Sequence, residues 1–440
     1  MNSITHNRSF LVLLALALVV SLGSAVSNGR SMEREHAKNP SLTSLMYGVG
    51  PTTASLLAGH GLTTCNEDMG TIGNPICFHS GRMPVATLVV ASGIRLLGDH
   101  YFRVGVFKTL LLLIPLVMAM YLVCLRLPEN SPWRYLAILA LLIYPFFNTQ
   151  FLSDVVNLPV EEDYLYSFLA LALAVVLFPA PKGSWLRSHP IAEGLLAGFA
   201  VGSLYLSKSS MILAAAVLLL AYVLRTRESA ARVIAVCLAL CFPLGWAAYQ
   251  HHSSGRYTLG TSYDGINFHK GNNPIFVSIY PIPPDITLDS YDPQLNVGKW
   301  FPDEWAFNDY HQHEAIAFIK AHPRQILRVD EDKLAIIFFS LKKQGATRSH
   351  GMALRLEQVG MLLFRLTFWA SILLSVVALF LRWPALRWDG LCFLALVAAV
   401  ALPYVVGFPF TRHFAVLIYP SVLFCCRAIE VWPKRALAEA

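Results

Sequence analysis

The chain has 440 residues, of which 55% are hydrophobic and 14% charged, with a net charge of +7. A water-soluble globular protein of this length is excluded, because it would need far more charge to cover its surface. Nucleic acid is not an expected partner either: the basic residues sit at the ends of apolar runs instead of forming a stripe with interleaved aromatics.

The first apolar run, Phe10 to Val26, follows a short head carrying Arg8. It has the form of a signal peptide, with Gly23-Ser24-Ala25 as a cleavage-like site. The pattern of later runs favours an uncleaved first helix. A polar segment, 27–106, follows. It holds Cys65 and Cys77, while the other cysteines lie in or beside apolar runs. In an oxidising compartment those two are candidates for a disulfide. Within the same segment, Pro84 to Leu97 is short for a span and contains Arg95. It is expected to lie as a helix at the outer interface.

Further apolar runs predict spans at Phe107–Leu125, Tyr135–Phe151, Tyr164–Phe178, Ile191–Leu206, Met211–Leu224 and Val233–Tyr249. A second polar segment, 250–357, carries a Pro-rich stretch, a helix expected over Asp309–Ala321, and an interfacial pattern in which apolar Lys333–Leu341 is followed by Lys342 and Lys343. Spans at Gln358–Leu381, Gly390–Val406 and His413–Cys426 close the chain. The expectation is an all-α polytopic membrane helix bundle of about ten spans. It divides into an N-terminal module (1–249), a second extracytoplasmic loop (250–357) and C-terminal helices (358–440).

Alternate connections between spans carry the basic residues: Arg126 and Arg134, Lys182 and Arg187, Arg225 to Arg232, Arg382 and Arg387, then Arg427, Lys434 and Arg435. The stretch 148–163 has no Lys or Arg and four acids. The positive-inside rule therefore puts both termini in the cytoplasm and both large loops outside. The expected location is a bacterial inner membrane.

Several patches resemble one family. SGRMPVATLVVASGIRLLGDHYFRV is similar to the R-x-P stretch of polytopic glycosyltransferases of the GT-C fold, which include protein O-mannosyltransferases and lipid A aminoarabinose transferases. ASLLAGHGL, EGLLAGFAVGSLYLSKSSMILAAAVLLL, DGINFHKGNNP, HEAIAFIKAHPRQILRVDEDKL and FTRHFAVLIYP resemble further elements of that family in the same order. The resemblance implies a membrane-embedded transferase. Its partners would be membrane lipid, a polyprenyl-phosphate sugar as donor, and a lipid, glycan or protein acceptor at the periplasmic face.

That chemistry needs a carboxylate base for the acceptor hydroxyl and cations or amide donors for the departing phosphate. Arg82, Lys208 and Arg412 lie at external helix ends and are the phosphate candidates. The alternative for each is a residue that binds ordinary headgroups or pairs within the protein. Asn272, Asn273 and His269 are substrate-binding candidates, though Gly, Asn and Pro also favour a plain turn. The family's first-loop acid has no counterpart in LMYGVGPTTASLLAGHGL. Glu33 and Glu35 upstream and Glu67 and Asp68 downstream are the substitutes considered, with solvated surface charge as the other reading of both pairs. At the second acidic position, Glu161, Glu162 and Asp163 crowd together before Tyr164. Mutual repulsion would raise one pKa and suit a base, with Glu162 and Asp163 as the catalytic candidates; simple helix N-terminal charge is the competing account. His311, His313 and His322 form no metal motif. No metal site and no soluble cofactor are expected. A transporter or flippase for a lipid-linked substrate, and a catalytically silent lipid-binding relative, are the alternatives to a transferase.

Overall fold

The computed structural model describes residues 49–71, 74–127, 131–136, 161–181, 183–275, 300–339, 352–381, 383–409 and 416–436, with single residues at 295 and 413 and scattered ones between 11 and 33. The protein is an all-α, membrane-spanning bundle. Helix α1 (Gly50–Leu57) leads into a hairpin of β1 (Thr64–Thr71) and β2 (Asn74–Phe78), antiparallel with Cys65 opposite Cys77. These two cysteines are joined by a disulfide. The hairpin was not anticipated from the apolar pattern.

Helix α2 (Pro84–Leu97) begins with proline, whose missing N–H is no loss in a first turn, and ends at Gly98, with φ of 86°. At about 1.5 Å per residue it is too short to cross a bilayer. It buries Ala86, Val90 and Gly93 and exposes Leu88 and Leu96. Gly93 leaves room for Val104 and Phe107 of α3 (Tyr101–Cys124).

Among the described residues, five helices are long and apolar enough to cross a membrane: α3, α5 (Pro190–Ser207), α7 (Ser229–Ser254), residues Gln358–Phe380 of α11 (Met352–Phe380), and α12 (Arg387–Val406). Shorter apolar helices α4 (Glu161–Leu177) and α6 (Ile212–Arg225) pack among them, with α13 (Ile418–Ala436). The expected spans Phe10–Val26 and Tyr135–Phe151 fall largely outside the described residues. Helix α4 is the centre of the bundle. Every residue from Tyr164 to Phe178 is buried, which is what a helix apolar on all sides requires.

Close backbone approach holds α5 to α7. A Cβ on Gly194 would lie 2.6 Å from the Ala231 carbonyl oxygen, and one on Gly198 2.8 Å from that of Ala235. Small residues at four-residue spacing let two helices meet where lipid offers no hydrophobic drive. Helix α7 extends beyond its predicted apolar run at both ends, since its terminal turns are polar.

The two ends of the bundle differ. At one, Asp389 of α12 is 2% exposed and binds both Arg225 and Arg427, the latter at 2.7 Å; Arg427 also binds Glu430. Arg187 pairs with Glu193 at 3.4 Å, and Arg126 donates to the Pro179 carbonyl at 2.7 Å. At the other end, the two large loops share a small core. Ile76 and Phe78 of β2 pack with Ile266, Phe301, Phe307 and Ile336. Those last four come from the second loop, which contributes α8 (Asp264–Lys270), α9 (Glu304–Ala321) and α10 (Pro323–Phe339).

Candidate functional site

The second loop seats itself on the end of α12. The last carbonyls of a helix lack partners within it. Here Lys333 Nζ donates to the Val405 oxygen at 2.9 Å, and Asn272 Nδ2 to that of Val406 at 2.7 Å. Lys333 is fully buried; burial lowers its pKa, and Asp330 at 3.0 Å opposes that shift. A cation at this end also suits the helix dipole. Gly271 must be glycine, because a Cβ would sit 1.8 Å from the Gly407 oxygen. Farther along α10, the Ile337 carbonyl accepts from Arg365 of α11 at 2.5 Å.

The amides of the GNN turn are therefore engaged within the protein. Asn272 also donates to Phe268, and Asn273 donates to the carbonyls of His269 and Lys270. His269 is buried against His311, with Nδ1 to Nδ1 at 2.8 Å. One ring must donate and the other accept, so at least one is neutral. Burial lowers both pKa values: that of His269, with Glu314 opposing, and that of His311 to about 3, with His269 and Lys270 adding. Phe301, Phe307 and Tyr310 wall the pair.

Both loops and the α5–α6 turn converge on one patch. Ser262 N donates to the Ser80 carbonyl at 3.0 Å. The Arg82 guanidinium lies over the Tyr263 ring, 5.8 Å from its centroid. Next in sequence, Asp264 accepts from Thr261 N at 2.7 Å, Thr261 Oγ1 at 2.9 Å and Ser209 Oγ at 3.1 Å. Beside Ser209, Lys208 Nζ sits 5.5 Å from the Tyr404 ring centroid, and Tyr404 stacks on His413 at 3.9 Å. Tyr404 is 5% exposed and its hydroxyl has no hydrogen-bond partner among the described residues. Arg82, Tyr263, Asp264, Ser209, Lys208 and Tyr404 thus form a continuous series of contacts.

Glu304 is the buried acid of this region, 2% exposed. Its carboxylate accepts from the amides of His79 and Ser80 and from the Ser262 hydroxyl. Burial raises its pKa, while those donors pull the other way. Asp303, not Glu304, caps α9, accepting from Trp305 N and Ala306 N at 2.8 Å each.

Of the residues singled out in the sequence, the fold brings Arg82 and Lys208 into one patch. It sets His269, Asn272 and Asn273 at the neighbouring loop–helix joint. Glu67 and Asp68 lie on β1, and Glu162 and Asp163 in the first turn of α4; the side chains of all four fall outside the described residues, as does Arg412. Among the described residues no group of three His, Cys, Asp or Glu side chains could hold a metal. Tyr263, Asp264, Glu304 and Tyr404 were not anticipated. Thr261 and Asp264 do have capping-box spacing, which signals an acid reaching back to an amide.

No protein-family model matches the chain, and no curated protein matches it by sequence. Among solved structures, it is similar to the archaeal oligosaccharyltransferase AglB from Archaeoglobus fulgidus in complex with an inhibitory peptide and a dolichol-phosphate. The TM-score is 0.47 and the identity 12%, over 99% of this chain and 52% of that one. The chain spans about half the length of that protein.

Proposed function

We propose that this chain is an integral-membrane glycosyltransferase. It moves a sugar from a polyprenyl-phosphate donor to a lipid, glycan or protein acceptor. In this reading the Arg-rich end faces the cytoplasm of a bacterial inner membrane, as do both termini, and the loops face the periplasm. One observation carries the proposal: the two loops share a core that sets Arg82 in contact with Tyr263, whose neighbour Asp264 binds the turn holding Lys208. Two cations far apart in sequence are thereby linked through the Tyr263–Asp264 segment at one end of a membrane bundle, where a lipid phosphate presents itself. Their guanidinium and ammonium groups stabilise charge on the leaving phosphate.

The reaction is an in-line displacement. The acceptor hydroxyl oxygen attacks the anomeric carbon, and the bond from that carbon to the phosphate oxygen breaks with its electrons going to the phosphate. A carboxylate takes the hydroxyl proton. Glu162 and Asp163 at the start of α4 are the first candidates for that base, with Glu67 and Asp68 on the hairpin as the second pair. Arg412 adds a third cation, while His269, Asn272 and Asn273, engaged within the fold, hold the second loop against α12. No nucleotide, metal or soluble cofactor takes part.

A catalytically silent lipid-binding relative is the second reading. It is favoured by the acids described at the patch, since Glu304 and Asp264 accept from amides and hydroxyls of the fold itself. The deciding experiment is sugar transfer by purified protein in nanodiscs from synthetic polyprenyl-phosphate sugars. Transfer that falls at least about a hundredfold in Glu162→Gln supports Glu162 as the base. Transfer untouched by that change removes Glu162. Donor binding without transfer selects the silent relative.

A further inference from the structure

Glu304 opens α9, but its carboxylate serves the other loop. The His79 amide lies 3.1 Å from each of its oxygens, the Ser80 amide 3.1 Å from Oε2, and Ser262 Oγ 2.6 Å from Oε2. Three donors from two distant loops converge on one group, and an ionised carboxylate is the side chain that accepts from all of them without offering a competing hydrogen. The segments so joined are those that carry Arg82 and its ring. Ser80 is two residues before Arg82, and Ser262 is next to Tyr263. Gly81 lies beneath that ring: a Cβ there would come 2.7 Å from Tyr263 Cε2. The docking of 80–82 on 262–263 is therefore close, and Glu304 binds both segments at once.

We propose that Glu304 is a positioning residue, a carboxylate staple that holds Arg82 at the place where it meets the phosphate of a polyprenyl-phosphate donor. The inference rests on the donor reading given above. Loss of the carboxylate leaves two amides and a hydroxyl without their acceptor, so the 80–82 turn shifts even though Arg82 itself is intact. Glutamine keeps one oxygen; placed at Oε2, it retains the Ser80 and Ser262 contacts.

The test is a double-mutant cycle on binding of polyprenyl phosphate to the full-length protein in nanodiscs, read by native mass spectrometry. Arg82→Ala and Glu304→Ala are each expected to weaken binding on the order of tenfold, and Glu304→Gln much less. The double variant is expected to bind no worse than Arg82→Ala alone, because Glu304 acts through Arg82. Losses that multiply in the double variant, or wild-type affinity in Glu304→Ala, overturn the proposal. A merely structural role would weaken binding in both backgrounds equally. If the wild type binds no polyprenyl phosphate, the donor reading and Arg82's task in it fall together. The staple is then judged by amide hydrogen exchange: faster exchange at His79 and Ser80 in Glu304→Ala but not in Glu304→Gln upholds it, and unchanged exchange in both rejects it.

Discussion

The two ends of this bundle handle charge in opposite ways. At the Arg-rich end, acids meet bases directly: Asp389 binds Arg225 and Arg427, Arg427 binds Glu430, and Arg187 binds Glu193. At the loop end, the Glu304 and Asp264 carboxylates go to amides and hydroxyls, while Arg82, Lys208 and Lys270 lie over the rings of Tyr263, Tyr404 and Phe408. The first arrangement fixes helices to one another and neutralises charge at the membrane boundary. The second holds cationic groups over aromatic faces through the ring quadrupole. In the proposed reading, an end that anchors and an end that receives an anion call for these two solutions.

The contrast breaks most sharply at Asp389. It is 2% exposed and serves two guanidinium groups, so Asp389→Ala leaves both without their shared acid. Removing one member of a buried charge cluster costs about 3–5 kcal/mol, and the partial exposure of Arg225 puts the expected loss near the lower figure. Thermal unfolding in detergent should register it, with Asp389→Asn in between. Hydrogen exchange in α9 should stay as in wild type. A loss below about 1 kcal/mol would mean that this end is held by apolar packing and not by its charges.

Much of the bundle was legible because apolar runs are dictated by lipid. The prediction Ile191–Leu206 differs from α5 by one residue at each end. The last helix was misplaced, from His413–Cys426 to Ile418–Ala436, because its final turns are amphipathic and gain their stability from Arg427 and Glu430 meeting Asp389. That partnership lies outside any hydropathy window. The helix expected over Asp309–Ala321 starts at Glu304, and the Asp303 cap was the available sign. At the site, Arg82 and Lys208 stood out as cations at helix ends. Glu304 did not, since an acid in a first turn ordinarily complements the helix dipole. Its actual partners, His79 and Ser80, are in the other loop, and only tertiary docking pairs them.

The loop end also differs in its response to pH. His269 and His311 are buried as a hydrogen-bonded pair, with the His311 pKa lowered to about 3. An unfolded histidine titrates near 6.5, so between about pH 6.5 and pH 3 the unfolded chain binds more protons than the folded one. The pair's contribution is fully present above that window and is lost as pH falls through it. At pH 5 the expected loss is about 2 kcal/mol relative to pH 7. His311→Phe should remove most of this difference, and comparing the two proteins cancels the contribution of other groups such as Glu304. An equal acid response in both would place the sensitivity elsewhere.

The smallest expected effect bears on an exposed ion pair at the loop end. Arg256 binds Asp309 at 2.7 Å, but their side chains are 43% and 51% exposed. Solvent screens such a pair, and its worth is about 0.5 kcal/mol or less. Arg256 also lies over the Trp305 ring, 4.9 Å from its centroid, so it keeps a partner when Asp309 is changed. Asp309→Ala should therefore shift unfolding by no more than about 0.5 kcal/mol, with the shift vanishing in high salt. Glu304 lies one and a half turns back on the same helix, yet it is buried and held by amides, which places it in a different class. Should Asp309→Ala cost as much as Asp389→Ala, exposure would not be what separates these pairs. The loop end would then depend on acid–base pairing as the Arg-rich end does, and its cations would be anchors before they were receptors.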